Sequence, residues 1–290
     1  MTLSVLGKHA IITGGGSGIN LAFAKKLLSR GCSVLIGDLG LRPEAQELLK
    51  QYPHEPSKPP SASRPAALFK KTDVRSWPQL TELARTAEAA FPQVDIVSVT
   101  NPDSPSTDDA NGDPGHYAVL DINLIHPIRL SQLAIAHWTS RRIPGSLLVV
   151  GSMAGYLYGL GTPMYHASKH GVHGFVRSLG SLRETAGIRT AAIAPGAVNT
   201  PLLTDDLERR NALRQDLAAS PEYIAEAMLE LLDDPQYGDG TIFEATAEGT
   251  RVVPAFNAPM PEFKDGAIVR YMVEVERRLI KKITEEGLKV

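Results

Sequence analysis

The chain has 290 residues, of which 43% are hydrophobic, 21% charged and 6% aromatic, the composition of an ordinary globular protein rather than of a collagen, a coiled coil or a disordered segment. Thirty Lys and Arg stand against 32 Asp and Glu, a formal net charge of −2, so no broad field favours nucleic acid or an anionic membrane as partner. The single cysteine, Cys32, allows no internal disulfide, and a reducing, cytoplasmic setting is expected.

In chain order, the apolar run HAIIT, residues 9–13, ends in a glycine cluster, and the helix-like LAFAKKLLSR follows. No basic region with a long apolar stretch precedes it, so no secretion signal is expected. The runs SVLIG from Ser33, AALF from Ala66, VDIVSV from Val94, SLLVV from Ser146, RTAAIA from Arg189 and TIFEA from Thr241 repeat the pattern, with helical periodicity between them. Strands that alternate with helices and are apolar throughout predict right-handed crossovers and a parallel sheet covered on both faces. The expected architecture is therefore α/β: a single-domain, Rossmann-like, doubly wound parallel sheet of about seven strands, spanning residues 1–250.

Two irregular stretches interrupt the pattern. YPHEPSKPPSASRP, residues 52–65, holds five prolines and reads as an exposed insertion before the third strand. Residues 100–115, TNPDSPSTDDANGDPG, follow the fourth strand at its carboxyl end, where open α/β sheets bind ligands. The uncharged stretch from Ile143 to Tyr165 is long enough to span a bilayer, but Pro144, Pro163 and five glycines point to a buried strand and a loop; no membrane span is expected. Residues 251–290 read as a C-terminal extension packing on the domain or on an oligomer partner.

The first strand runs into Thr13, Gly14, Gly15, Gly16, Ser17, Gly18 and Ile19. A strand, a glycine turn and a helix start together offer close backbone approach, unpaired N–H groups and a positive dipole to a pyrophosphate. The second strand ends in Asp38, whose carboxylate suits the hydroxyls of an adenosine ribose and repels a 2′-phosphate, which favours NAD over NADP. Further on, Tyr165 and Lys169 of YHASK are four apart on one helix face, and a lysine beside a tyrosine favours the phenolate needed for a base near neutrality. Ser152, after the fifth strand, is placed to hold a substrate oxygen, and Asn123 in LDINLIHP to anchor a water beside the lysine. His166, His170 and His173 follow at helical spacing, but without an acidic or cysteine partner nearby they are expected on the outer helix face, with no metal.

These segments, with TDV at residues 72–74, INL at 122–124 and PGAVNT at 195–200, resemble the short-chain dehydrogenase/reductase family. The likeness is greatest to NAD-dependent 15-hydroxyprostaglandin dehydrogenase-like members, and LDINLIHPIRLSQLAI is similar to fungal 5′-hydroxyaverantin dehydrogenase-type members. The resemblance implies a catalytic tetrad of Asn123, Ser152, Tyr165 and Lys169. It implies an NAD site built from Gly14, Gly16, Ser17, Gly18, Ile19, Asp38, Asp73, Val74, Asn101, Tyr165, Lys169, Pro195, Gly196, Val198 and Thr200. It also implies a substrate-covering segment at residues 201–219, and a homodimer or homotetramer formed through helices near 115–140 and 164–186. The substrate would be a bulky apolar secondary alcohol or ketone, such as a secondary metabolite, lined by Ser152, Tyr156, Tyr158 and Leu202.

Two departures stand out. Asn20 replaces the last glycine of the family's turn, and asparagine is expected to serve there through its tolerance of positive φ. Val99-Thr100-Asn101-Pro102 replaces the small Asn-Asn-Ala-Gly segment beside the cofactor ribose. The second departure carries the alternative expectation, a non-redox protein of the same fold, a cyclase, isomerase or binding protein, that keeps the tetrad.

Overall fold

The computed structural model describes residues 4–99, 117–205 and 218–255, together with 274–275, 277–278, 281–282 and 285–287. Eight strands form one sheet: β1 (His9–Thr13), β2 (Ser33–Asp38), β3 (Ala67–Lys71), β4 (Ile96–Val99), β5 (Gly145–Val150), β6 (Ile188–Pro195), β7 (Asp239–Thr246) and β8 (Gly249–Val252). Their order is β3-β2-β1-β4-β5-β6-β7-β8. All neighbours are parallel except β7 and β8. The order reverses between β1 and β4, which opens a crevice at their carboxyl ends.

The helices are α1 (Gly18–Ser29), α2 (Pro43–Gln51), α3 (Trp77–Ala90), α4 (Ala118–Leu120), α5 (His126–Arg141), α6 (Pro163–Ser178), α7 (Leu182–Ala186), α8 (Pro201–Thr204) and α9 (Pro221–Asp233). A π turn, Asp121–Ile125, joins α4 to α5, and a 3₁₀ turn, Met153–Gly155, follows β5. Because successive residues of a strand point to opposite faces, Ile12 and Ile36 join one core with Phe23, Leu27 and Met228, under α1 and α9. Ile11 and Leu35 join the other with Leu83, Leu130, Trp138 and Val176, under α3, α5 and α6. Both faces are thus buried, as the unbroken apolar runs require.

The expected seven strands are all present, and β8 is the addition. It turns back antiparallel on β7 through Gly249, at φ +143°, and is short, GTRV, and largely exposed. An edge strand of that composition carries no apolar run to betray it. Val253, just beyond it, is buried and donates its N–H to Ile242 O at 2.8 Å. Residues 52–65 form the expected exposed insertion between α2 and β3, folded into two tight turns closed by the Glu55/Lys58 and Ser61/Arg64 bridges. No helix among the described residues is long and apolar enough to cross a membrane.

Two buried polar anchors tie helices to the sheet. Trp138 of α5 donates its indole N–H to Val94 O at 2.8 Å, and its ring fills the space that a Cβ on Gly145 would take, 2.1 Å from the nearest ring atom. Arg189 of β6 donates to the carbonyls of Leu231, Leu232, Asp234 and Tyr237 at the end of α9. Replacing Trp138 by Ala removes the ring and its hydrogen bond and should cost about 3–5 kcal/mol, read as a lower urea midpoint; an unchanged midpoint would show that the ring bears no load.

Candidate active site

The glycine turn is built by three constraints. Gly14 and Gly18 lie at φ +66° and +57°, in the left-handed region where a Cβ is strained. Gly16 is bare because its neighbour is close: a Cβ there would stand 2.2 Å from Gly40 O and 2.8 Å from Asp38 Oδ2. Its N–H donates to Asp38 Oδ2 at 2.8 Å. Asp38 is therefore fixed at the end of β2 against the turn, and its carboxylate keeps acceptor capacity for further donors. Ser17 is the N-cap of α1, yet its side chain makes no cap hydrogen bond, which leaves the positive helix start open to an anion.

Asn20 does something other than expected. It lies inside α1, and among the described residues Arg142 alone is a non-glycine at positive φ, so tolerance of that region is not what its position uses. Instead its Nδ2 donates to Thr13 O at 2.6 Å and braces the last residue of β1 from within the helix. Its Oδ1 is buried without a hydrogen-bond partner.

The other residues expected on the nucleotide side follow the carboxyl ends of β3 and β6. Thr72 at the end of β3 donates its N–H to Asp38 O at 2.8 Å. The next residue, Asp73, is gripped by Arg75, with Nη2 to Oδ2 at 2.8 Å and Nε to Oδ1 at 3.1 Å, and that guanidinium holds the carboxyl below its ordinary pKa. Val74 is buried. After Pro195 closes β6, Gly196 donates its N–H to Ala245 O at 3.0 Å. Val198 forms a bridge with Ala219, and Thr200 is brought beside Gly18, whose added Cβ would lie 3.4 Å from Thr200 Cγ2. Arg42, which sequence reasoning passed over, pairs with Asp205 at 2.7 Å, tying the loop after β2 to the residue that follows α8. Asn101 and most of the covering segment, 206–217, lie outside the described residues, as do Thr100 and Pro102; Val99 ends β4 fully buried.

The four residues expected to form the tetrad lie in the π turn, at the start of the 3₁₀ turn and on α6. Tyr165 and Lys169 share one face of α6, with Lys169 Nζ 5.6 Å from the centroid of the tyrosine ring. Lys169 is only 2% exposed, and its ammonium donates to Val150 O at 3.1 Å. Ser152 caps the 3₁₀ turn, its Oγ accepting from Ala154 N–H at 3.1 Å, which leaves its own O–H to donate elsewhere. That turn packs on α6. Asn123 sits in the π turn, an irregularity common at functional sites. Its Nδ2 donates to Ser168 Oγ at 3.3 Å, and Ser168 Oγ donates to Tyr165 O at 2.7 Å. Asn123 Oδ1 is buried without a hydrogen-bond partner. Ser168 was not singled out, although it stands directly before the lysine in YHASK.

Of the residues expected on the substrate side, Tyr156 is turned inward: its hydroxyl donates to the Glu244 carboxylate and its ring stacks on His173. Burial, then Glu244, pushes its phenol up. Tyr158 and Leu160, by contrast, are 93% and 95% exposed. Leu202 lies in α8, but its side chain is outside the described residues. The histidines of α6 do not all face outward as expected. His166 and His170 are half-buried and bond the carbonyls four residues back, whereas His173 is buried under the turn after β5. Its neighbours there, Gly151 and Gly155, have no side chains to keep it out, which explains the inward setting. Among the described residues no group of three or more His, Cys, Asp or Glu side chains is arranged to hold a metal ion.

With this geometry in view, residues 8–211 match the short chain dehydrogenase family model, and the chain belongs to that family of oxidoreductases. It is 29% identical over 268 residues to human 15-hydroxyprostaglandin dehydrogenase (NAD+), covering 85% of this chain and 94% of the relative. It is 30% identical over 237 residues to the cis-4-hydroxycyclohexanecarboxylate dehydrogenase of Sinomonas cyclohexanicum, covering 78% and 89%. Among solved structures, the 3-ketoacyl-(acyl-carrier-protein) reductase from Brucella melitensis complexed with NADH shares the fold, with a TM-score of 0.69 at 23% identity over 84% of this chain and 98% of that one.

The site also fixes an acid response. Burial pushes His126, at the start of α5 beside the π turn, down to about 4 and His173 down to about 3. Below the unfolded value near 6.5 the unfolded chain takes up these protons and the native one does not, so stability falls from there until the folded values are reached. Each histidine should contribute a slope of about 1.4 kcal/mol per pH unit. Urea midpoints taken from pH 7 to 5 should decline, and less steeply in His126→Phe; a flat profile in the native sequence would contradict both burial arguments.

Proposed function

We propose that this protein is an NAD-dependent dehydrogenase of a bulky apolar secondary alcohol, or in reverse a reductase of the ketone, acting on a secondary metabolite. The observation that carries the reading is the buried ammonium of Lys169 beside the Tyr165 ring, on a helix packed against the turn that presents Ser152. A positive charge at 2% exposure favours the phenolate of a neighbouring tyrosine. Aligned names support the class: the human relative is named for NAD+ and the Sinomonas relative for a cyclic secondary alcohol.

The residues present fit a dinucleotide. The open start of α1 suits a pyrophosphate, and Asp38, held against the turn by the Gly16 N–H, suits the ribose hydroxyls while opposing a 2′-phosphate. When bound, NAD supplies the hydride acceptor, or NADH the donor. Ser152 donates its O–H to the substrate oxygen and orients it. Tyr165 takes the hydroxyl proton during oxidation and returns it during reduction. Lys169 favours the phenolate, and Asn123 presents Oδ1 to a water that passes the proton outward. Tyr158 and Leu160, exposed between Ser152 and Tyr165, offer apolar surface to the substrate. Assembly as a homodimer or homotetramer through α5 and α6 belongs to the same reading.

Two measurements test it. Calorimetric titration should give NADH binding at least about tenfold tighter than NADPH. Binding of neither nucleotide would overturn the redox assignment and favour a non-redox protein of this fold. Tyr165→Phe should keep NADH affinity and lose about a hundredfold or more in turnover against a panel of alicyclic and aromatic secondary alcohols; full turnover in that variant, or a preference for short aliphatic alcohols, would contradict the roles assigned.

A further inference from the structure

Tyr165, Lys169 and His173 follow one another in steps of four along α6 and so form one stripe. The first two are absorbed by the chemistry proposed above. The third is 4% exposed and lies under the turn that carries Ser152. A Cβ on Gly151 would stand 2.4 Å from His173 Nε2, and a Cβ on Gly155 would stand 2.3 Å from its Cε1 and Nδ1. Neither glycine lies at positive φ, so the backbone itself would accept a side chain at both. At Gly155 the nearest atoms in the way are all of the ring; at Gly151 the ring is nearest, with Ile193 O next at 3.1 Å.

The imidazole thus fills the space left by the first and last residues of a five-residue turn, and the residue after that turn's start is Ser152. The turn is also held by the Gly151 N–H to Ile193 O bond at 2.7 Å, the Ala154 N–H to Ser152 Oγ bond at 3.1 Å and the Gly155 N–H to Ser152 O bond at 2.9 Å. Tyr156 stacks on the ring, with centroids 6.0 Å apart and planes at 24°, and its hydroxyl is bound to Glu244, itself gripped by Arg251 at 2.7 Å. Nε2 is buried without a hydrogen-bond partner.

We propose that His173 is a positioning residue: its ring is the wedge that seats the Gly151–Gly155 turn on α6 and so sets where Ser152 stands relative to Tyr165. The proposal rests on the roles assigned above to Ser152 and Tyr165. The ring acts by shape rather than by charge, since burial, with Lys169 and Arg177 nearby, keeps it neutral near pH 7.

A size exchange between ring and glycine tests it. His173→Ala empties the space, Gly155→Ala drives a methyl into the ring, and the double variant puts the methyl where the ring was. Amide hydrogen exchange of the 152–156 segment should speed up about tenfold or more in each single variant and return to within about threefold of the native rate in the double. Turnover should follow the same pattern, falling about tenfold or more in each single variant and largely recovering in the double, while NADH affinity stays within about twofold throughout. Unchanged exchange in His173→Ala, or simple addition of the two losses in the double variant, would overturn the wedge. Recovery of exchange without recovery of turnover would overturn its role in placing Ser152. Failure of the dehydrogenase reading would instead show as no turnover by the native chain, and exchange would still decide whether the ring holds the turn.

Discussion

A lysine ammonium at 2% exposure is the constraint around which this molecule is arranged. A buried charge is costly unless oxygen atoms meet it, and Lys169 reaches the carbonyl of Val150, the last residue of β5. That bond fixes α6 against the carboxyl end of the sheet. Val150 is two residues before Ser152, and Lys169 is one helical turn after Tyr165, so one interaction brings the two residues proposed for the chemistry to the same edge. The π turn that holds Asn123 is joined to the same helix through Ser168.

The glycine turn at the other side of the crevice is organised by close backbone approach. Gly16 lies so near the loop after β2 that its own N–H becomes the donor that orients Asp38. Asn20 fastens the far end of the turn to Thr13. A residue that departs from the family's glycine therefore strengthens the junction of strand and helix, by a side-chain hydrogen bond rather than by backbone freedom.

Much of this was legible in the chain. Seven strands announce themselves because burial on both faces demands unbroken apolar runs, and HAIIT and SVLIG became the parallel neighbours β1 and β2. β8 was silent, since GTRV is short, polar and at an edge. The spacing of Tyr165 and Lys169 revealed a shared helix face, but not that His173, one further turn along, is driven inward. Only the glycines at 151 and 155 hinted at that, and they are far from it in sequence. Arg42 on Asp205 is likewise a contact whose partner no period or motif specifies. Local pattern thus located the site, while long-range packing decided how its side chains are held.

Arg189 shows how that division extends to the making of the fold. Helix α9 ends without a left-handed glycine, and its last carbonyls are met by a guanidinium carried on β6. The stop signal for the helix thus lies more than forty residues upstream, in a central strand. A cap of this kind is non-local, so the last turn of α9 gains its partners only once β6 has taken its place in the sheet. Helix and strand therefore complete one another, and β7, which begins just after this junction, pairs with β6 beside it.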